Sequence, residues 1–392
     1  MLPASTKTTR VGVRAHVADR PSCVSVASVV VTSAHSAKNI DGRWKRWRPR
    51  RADAPGADAF DERLPVEDKD DPRACDAFCG LASSASIARS LVADDALRMT
   101  SARDGSARGL TDAFASDDFA RRGFAFVAHE GALPEPEIVR KCFAESRTFF
   151  DSSDETRKRA LTGDAPGIGY TAFASEKLDP SSSSVGDSKE GFYVVRERAK
   201  NRWPSAAFED AATTYYESMY ALGKRLLPAL ARACGVDDAY FDAHWSASSH
   251  NCVLRFLKYS ASRSDEGEGQ FACGAHTDYG ALTILAVEND GSTGLEIYDR
   301  ETETWVPVTP PPDHFVLNVG DLLERWSNGR FASTRHRVMT TGERERFSIP
   351  FFFEPSYDAV IEPVCVGDGE AAKYAPIRFG DYLQEKYAQT YE

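Results

Sequence analysis

Residues 274–286 read GAHTDYGALTILA. A histidine, one of only eight in 392 residues, precedes an aspartate by two positions at the mouth of the apolar run Ala281-Leu282-Thr283-Ile284-Leu285-Ala286. Side chains two apart on a β-strand share a face, so His276 and Asp278 are expected to converge while Thr277 turns away. A His-x-Asp pair recurs by chance and does not define a site alone; a hydrogen-bonded surface pair has the same spacing. The group that would complete it is His336, in STRHRVMTTGERERFSIPFFF (333–353), set in another β-run that a barrel could bring alongside. Two neutral imidazoles and a carboxylate on one face of an octahedral ion leave three adjacent positions open, the arrangement used by non-haem Fe(II) oxygenases. Zinc fits in principle, but zinc sites carry four protein ligands, or three with a water and a general base, and no such base is evident.

The flanking sequence is β-rich beyond residue 245: NCVLRFLKYS, GALTILAVE, GLEIYD, WVPVTP, HFVLNVGD, RHRVMT and RFSIPFFFEP are short runs separated by turn residues, as in a barrel or sandwich. Before it lie helical patterns. PEPEIVRKCFAESRTFF, from Pro134, places Ile138, Cys142 and Phe149 on one face. After NRWPS, Tyr215, Met219, Leu222, Leu226, Leu230 and Ala233 recur every three or four residues, with Pro228 expected to kink the helix or end its first half and Gly235 closing it. Order is expected from about Leu110, with a strand at Phe124–Ala128. The organisation expected is a basic arm and linker (1–100), a helix-rich region (101–245), a β core (246–356) and a C-terminal segment packed on it (357–392).

Charge is uneven. Net charge is −11, yet Met1–Arg51 carries +9, leaving −20 for the rest. An acidic body disfavours binding to phosphate backbones, which runs on Lys/Arg contacts, so a small molecule rather than nucleic acid is the expected partner. No stretch approaches the roughly 18 apolar residues of a membrane helix. Residues 1–51 have the composition of a chloroplast or mitochondrial transit peptide, with a plain basic arm in a cytoplasmic protein as the competing reading; a secretory signal around Val24–Val31 fits less well. The eight cysteines show no disulfide or four-thiolate spacing, Cys75 and Cys79 being the only close pair. There is no glycine-rich phosphate loop and no Gly-x-Ser-x-Gly elbow.

Arg346 and Ser348, in RFS, share a strand face, with Phe347 expected to pack outward on the other. A guanidinium fork with a neighbouring hydroxyl suits a carboxylate; a surface arginine beside a serine has the same sequence. In LRFLKYS, Arg255, Leu257 and Tyr259 share a side, and the phenol can reach the same carboxylate or stand at a rim. Phe352 and Glu354 continue the parity of Arg346 and Ser348, which makes them, with Arg255, candidate pocket residues.

HTD, HRV and RFS together, with GFAFVAHEG, GYTAFASEKLD, DSKEGFY, LNVGDLLERWSNGRFASTRHRV and SIPFFFEP, resemble the isopenicillin N synthase-like family of Fe(II)/2-oxoglutarate-dependent dioxygenases over about residues 110–383. The resemblance implies a distorted double-stranded β-helix, or jelly roll, flanked by helices. It implies iron on His276, Asp278 and His336, 2-oxoglutarate on Arg346 and Ser348 helped by Tyr259, ascorbate as a reductant, and dioxygen used to hydroxylate, desaturate or cyclise a small organic substrate with release of succinate and CO2. Some members of the family work without 2-oxoglutarate and hold a substrate carboxylate on the Arg-x-Ser pair; a non-catalytic metal-binding jelly roll is the reading from another class. Asn318, Gly320, Asp321, Trp326 and Asn328 match a family motif and are expected in turns and in support of the site. Two departures stand out: the usual opening strand is not evident before residue 110, and Leu257 replaces the asparagine of the Asn-Tyr-Tyr-Pro motif of many plant members. His250 and His314 are expected in connecting segments.

Overall fold

The computed structural model describes residues 101–391, apart from 103–106, 129–133, 153, 164–166, 289–293 and 368; the arm and linker expectations for residues 1–100 lie outside the described residues. Its strands are β1 (Ser101–Ala102), β2 (Phe124–Ala128), β3 (Gly169–Thr171), β4 (Lys189–Val195), β5 (Val253–Tyr259), β6 (Cys273–His276), β7 (Leu282–Val287), β8 (Leu295–Asp299), β9 (Thr304–Pro307), β10 (His314–Val319), β11 (His336–Val338), β12 (Arg346–Phe353), β13 (Val360–Ile361) and β14 (Ile377–Arg378). An eight-stranded sheet runs β1-β2-β10-β7-β12-β5-β4-β3, facing a four-stranded sheet β6-β11-β8-β9, with β13-β14 a separate pair. Among the described residues only β1 runs parallel to its neighbour, and every other strand pairing is antiparallel.

The large sheet is apolar on both faces because both are covered. Phe124, Phe126, Leu257, Tyr259 and Val316 point inward and meet Cys273, Leu295, Ile297 and Val338 of the small sheet. Their strand neighbours Ala125, Val127, Leu254, Phe256, Phe315 and Leu317 point outward into a second core formed with the helices. This alternation is the inner and outer parity of a jelly roll. Phe347 obeys it, packing outward into the helix-side core, 6.4 Å from the Phe150 ring and under the Arg147 guanidinium at 4.3 Å.

The helices are α1 (Ala107–Phe114), α2 (Asp117–Arg122), α3 (Pro136–Phe150), α4 (Glu155–Arg159), α5 (Ala206–Cys234), α6 (Asp321–Trp326) and α7 (Phe379–Tyr391). Pro136, not Pro134, occupies the first turn of α3, where its missing N–H is unneeded. In α5 the Ser205 side chain accepts from the Phe208 N–H at the start, and Gly235, at φ 75°, caps the end in the left-handed region. As expected, Gly235 closes α5, and the helix runs unbroken through Pro228 to reach it. Leu226, Leu227 and Leu230 are buried on both sides of the proline, and that packing outweighs one lost backbone hydrogen bond. Gly223 lets α5 approach the sheet: a Cβ there would lie 2.4 Å from the Phe353 ring.

Three further corrections concern strands. β1 pairs with β2 ahead of Leu110, through backbone bonds that its Ser-Ala sequence does not announce. β3 and β4, from the stretch expected to be helix-rich, extend the large sheet. His314 opens β10 rather than standing in a connection. Among the described residues no helix is long and apolar enough to cross a membrane, and the cysteines at 142, 234, 252, 273 and 365 are free.

Candidate metal centre and carboxylate anchor

The two histidines are brought together by strand pairing. His276 ends β6, His336 opens β11, and the two are direct partners in the ladder, with ring centroids 4.3 Å apart. Asp278 is not on that strand, as parity had suggested; the chain leaves β6 at His276 and turns through Tyr279 and Gly280 before β7 begins. The turn delivers the convergence instead: Asp278 Oδ1 lies 3.7 Å from Nε2 of His276 and 3.7 Å from Nε2 of His336. Among the described residues this is the one group of three or more such side chains whose donor atoms lie close enough, within 4.8 Å of one another, to share an ion.

Each donor is oriented from behind. His276 Nδ1 is 2.8 Å from the Gly274 carbonyl and His336 Nδ1 3.2 Å from the Thr334 carbonyl, which places the proton on Nδ1 and leaves each Nε2 lone pair facing the site. Asp278 Oδ2 accepts from Thr283 Oγ1 at 2.5 Å and Asn318 Nδ2 at 2.6 Å, so Oδ1 is left for a metal. Burial, with His276 beside it, pushes His336 down to about 4 against the pull of Asp278, so the imidazole is neutral at pH 7. Burial acts to raise the Asp278 carboxyl, but the imidazoles and the Thr283 and Asn318 hydrogen bonds outweigh it and hold it below its ordinary value. A neutral His336 and an ionised Asp278, beside a second imidazole whose Nε2 faces the site, are a donor set that suits a ferrous ion, so the residues fit it.

The second group lies on the inner face of the large sheet. Arg346 pairs with Tyr259 across β12 and β5, and Ser348 with Leu257. The Arg346 guanidinium stacks 4.6 Å from the Tyr259 ring and donates from Nη1 to Ser348 Oγ at 3.3 Å. Arg346 and Ser348 are buried, Arg346 Nε has no hydrogen-bond partner, and no carboxylate among the described residues pairs with this guanidinium. A buried cation without an anion is costly unless a ligand supplies one, and the fork suits a carboxylate.

Comparison with known proteins agrees. Residues 248–355 match the 2OG-Fe(II) oxygenase superfamily, and residues 101–207 match the family described as non-haem dioxygenase in morphine synthesis N-terminal. The 2-oxoglutarate-dependent dioxygenase caaD of Aspergillus niger is 30% identical over 282 residues, covering 68% of this chain and 83% of the fungal one. The chain belongs to the 2OG-Fe(II) oxygenase superfamily. The 2-oxoglutarate-Fe(II) type oxidoreductase hxnY of Emericella nidulans is 33% identical over 290 residues, covering 68% of this oxygenase and 81% of its own length. A full-length Neurospora crassa protein, solved in complex with alpha-KG, superposes with a TM-score of 0.62 at 28% identity over 73% of this chain and 90% of its own. The oxygenase is thus an enzyme of the 2-oxoglutarate-dependent dioxygenase class with a jelly-roll core, and its cofactors are Fe(II) and 2-oxoglutarate.

The remaining candidate residues of the oxygenase divide. Phe352 shares the inner face with Arg346 and Ser348, is partly exposed, and pairs with Thr283, the residue that holds Asp278. Arg255 is buried and engaged: Nη2 donates to Glu176 at 2.5 Å, and the guanidinium lies 4.2 Å from the Tyr193 ring. Tyr193 in turn donates to Glu176 at 3.2 Å. Burial acts to raise Glu176, but Arg255 and Lys189 hold it down at about 2. Glu354 is turned to the metal loop, accepting from the Ala281 N–H at 2.9 Å; a Cβ on Gly280 would fall 1.6 Å from its Oε1, so any larger residue there would have to displace this carboxyl. Sequence reasoning missed Glu176, Tyr193, Lys189 and Asp187. Alternation in DSKEGFYVV could have flagged the last three as facing one side, whereas Glu176 sits in a segment without periodicity.

Proposed function

We propose that His276, Asp278 and His336 hold the Fe(II), and that Arg346 and Ser348, assisted by Tyr259, hold the distal carboxylate of 2-oxoglutarate. The observation that carries this assignment is an oriented three-donor set on the small sheet and the loop after it, together with an anion-less buried arginine on the inner face of the large sheet. When bound, iron and 2-oxoglutarate supply dioxygen activation, with succinate and CO2 released as a small organic substrate is oxidised. The protein's own tasks follow from its contacts. Thr283 and Asn318 fix which carboxylate oxygen faces the metal, the Gly274 and Thr334 carbonyls fix the imidazole tautomers, and Arg346 sets the orientation of the keto acid.

Arg255, Tyr193 and Phe352 form the wall against which we place the substrate, while Glu354 braces the metal loop. Arg255 and Lys189 are balanced by Glu176 and Asp187, so the wall offers hydrogen bonds and a ring face without net charge, which supports an uncharged, polar, flat substrate. The Neurospora crassa protein that superposes on this chain has been crystallised with thymine, a molecule of that kind. The acidic body supports a small free molecule rather than a nucleic acid as the substrate. The test is succinate production from 2-oxoglutarate, screened across uncharged heterocycles, amino acids and carboxylic acids with and without ascorbate. Succinate and oxidised substrate should appear in equal amounts with an uncharged heterocycle and vanish in His276→Ala. Turnover confined to a carboxylic acid without succinate would place a substrate carboxylate on Arg346 instead.

A further inference from the structure

Asp321 lies outside the donor set yet touches both chain segments that carry it. Its peptide N–H donates to the Asp278 carbonyl at 2.8 Å; on either side, the Gly320 N–H donates to the Ala281 carbonyl and the Leu322 N–H to the Gly280 carbonyl, both at 3.0 Å. The first turn of α6 is therefore laced to the metal loop. Asp321 Oδ1 accepts from Ser333 Oγ at 2.7 Å, in the segment whose next residue, Thr334, orients His336. Oδ2 accepts from Lys386 Nζ at 2.9 Å and Tyr382 Oη at 3.4 Å, both on α7, and the Lys386 ammonium also lies 5.5 Å from the ring of Tyr279, the residue after Asp278. Asp321 thus joins the Asp278 loop through its peptide N–H, and through its carboxylate ties the Ser333 segment that leads into β11 to the C-terminal helix, whose Lys386 reaches back to Tyr279.

We infer that Asp321 is a positioning residue for the iron site, fixing the spacing between Asp278 and His336, and that α7 acts on the site through it. The inference rests on His276, Asp278 and His336 being the iron ligands. Three donors on a half-buried carboxylate give charge-assisted bonds strong enough to set a register, and metal affinity is steep in ligand placement. A plain staple would stabilise the fold without changing how the folded protein binds metal. The positioning role predicts a loss of affinity in folded protein.

The test is Mn(II) titration of the full chain, followed by electron paramagnetic resonance, beside thermal unfolding of the metal-free protein. Asp321→Asn keeps the size and the Ser333 acceptor but removes the charge that holds Lys386. It should weaken Mn(II) binding by about tenfold or more, the usual effect of disturbing groups behind a ligand. Lys386→Ala should weaken it by a smaller factor, and adding it to Asp321→Asn should cost less than the two effects summed, because both act in large part through one carboxylate. Should Asp321→Asn fail to fold, Ser333→Ala and Lys386→Ala each remove a single donor and carry the same test. Wild-type affinity in the folded variants would overturn the inference while leaving the ligand assignment standing. Failure of the wild type to bind one Mn(II) would overturn both.

Discussion

Burial, with His276 beside it, keeps the His336 imidazole neutral at pH 7, while the imidazoles and the Thr283 and Asn318 hydrogen bonds keep Asp278 ionised. Removing a ligand should therefore cost binding rather than fold: His276→Ala should lose 2-oxoglutarate turnover while its circular dichroism spectrum stays that of the wild type. Arg346→Lys keeps the charge but loses the fork, and we expect KM for 2-oxoglutarate to rise by roughly tenfold or more with little loss of stability; an unchanged KM would show that the guanidinium holds something else. Glu354 is a different kind of residue. Burial, opposed by the Ala281 N–H and aided by Asp278, pushes its carboxyl up from 4.5 to about 8. Folded protein thus keeps a proton that unfolded protein loses, so the stability associated with this group is full below about pH 4.5 and is lost as pH rises toward 8. Glu354→Gln, a neutral isostere, should be more stable than the wild type by a margin that grows between those limits, to a few kcal/mol at most. Urea unfolding of the metal-free protein at pH 5 and pH 8 measures it, and a margin independent of pH would contradict the assigned protonation.

Elements show which signals survive translation from sequence to structure. The alternation in RFSIPFFF was legible because β12 lies between two cores: Arg346, Ser348 and Phe352 turn to the site, Phe347, Ile349, Phe351 and Phe353 to the helices. The donor set was legible through residue type and spacing, but the reason for its convergence was not, since parity stops at the end of β6 and a glycine turn finishes the task. β4 was hidden because Lys189 and Glu190 open it, and a charged start reads as loop until Asp187 and Glu176 are known to neutralise the buried lysine. Pro228 marks no boundary in α5, because packing on both sides of it overrides a local rule. The same contest can be measured at Gly223. Helix propensity alone favours alanine there by roughly 1 kcal/mol, but a Cβ 2.4 Å from the Phe353 ring must displace a packed aromatic, so Gly223→Ala should lower stability by about 1–3 kcal/mol. A gain in thermal midpoint would mean that α5 and β12 are less closely seated.

Across the whole molecule, the site depends on a jelly roll that encloses it and a helical layer that holds the roll. His250 reports on that layer. It is buried, stacked 4.1 Å from the Tyr220 ring, and burial pushes it down to about 4 from 6.5. Unfolded chains bind its proton first as pH falls, so stability is full above about 6.5 and declines toward 4. His250→Gln should flatten part of that decline in a urea series, and an unaltered slope would assign acid sensitivity elsewhere. The enclosure itself is probed by anaerobic addition of Fe(II) and 2-oxoglutarate to the full chain, recording the visible charge-transfer absorption of the chelate. One iron per chain, with a band that is lost in His276→Ala and needs more 2-oxoglutarate in Arg346→Lys, is the expected result. Folded protein that gives no band, or a band indifferent to both substitutions, would mean that these side chains do not share one ion beside one keto acid.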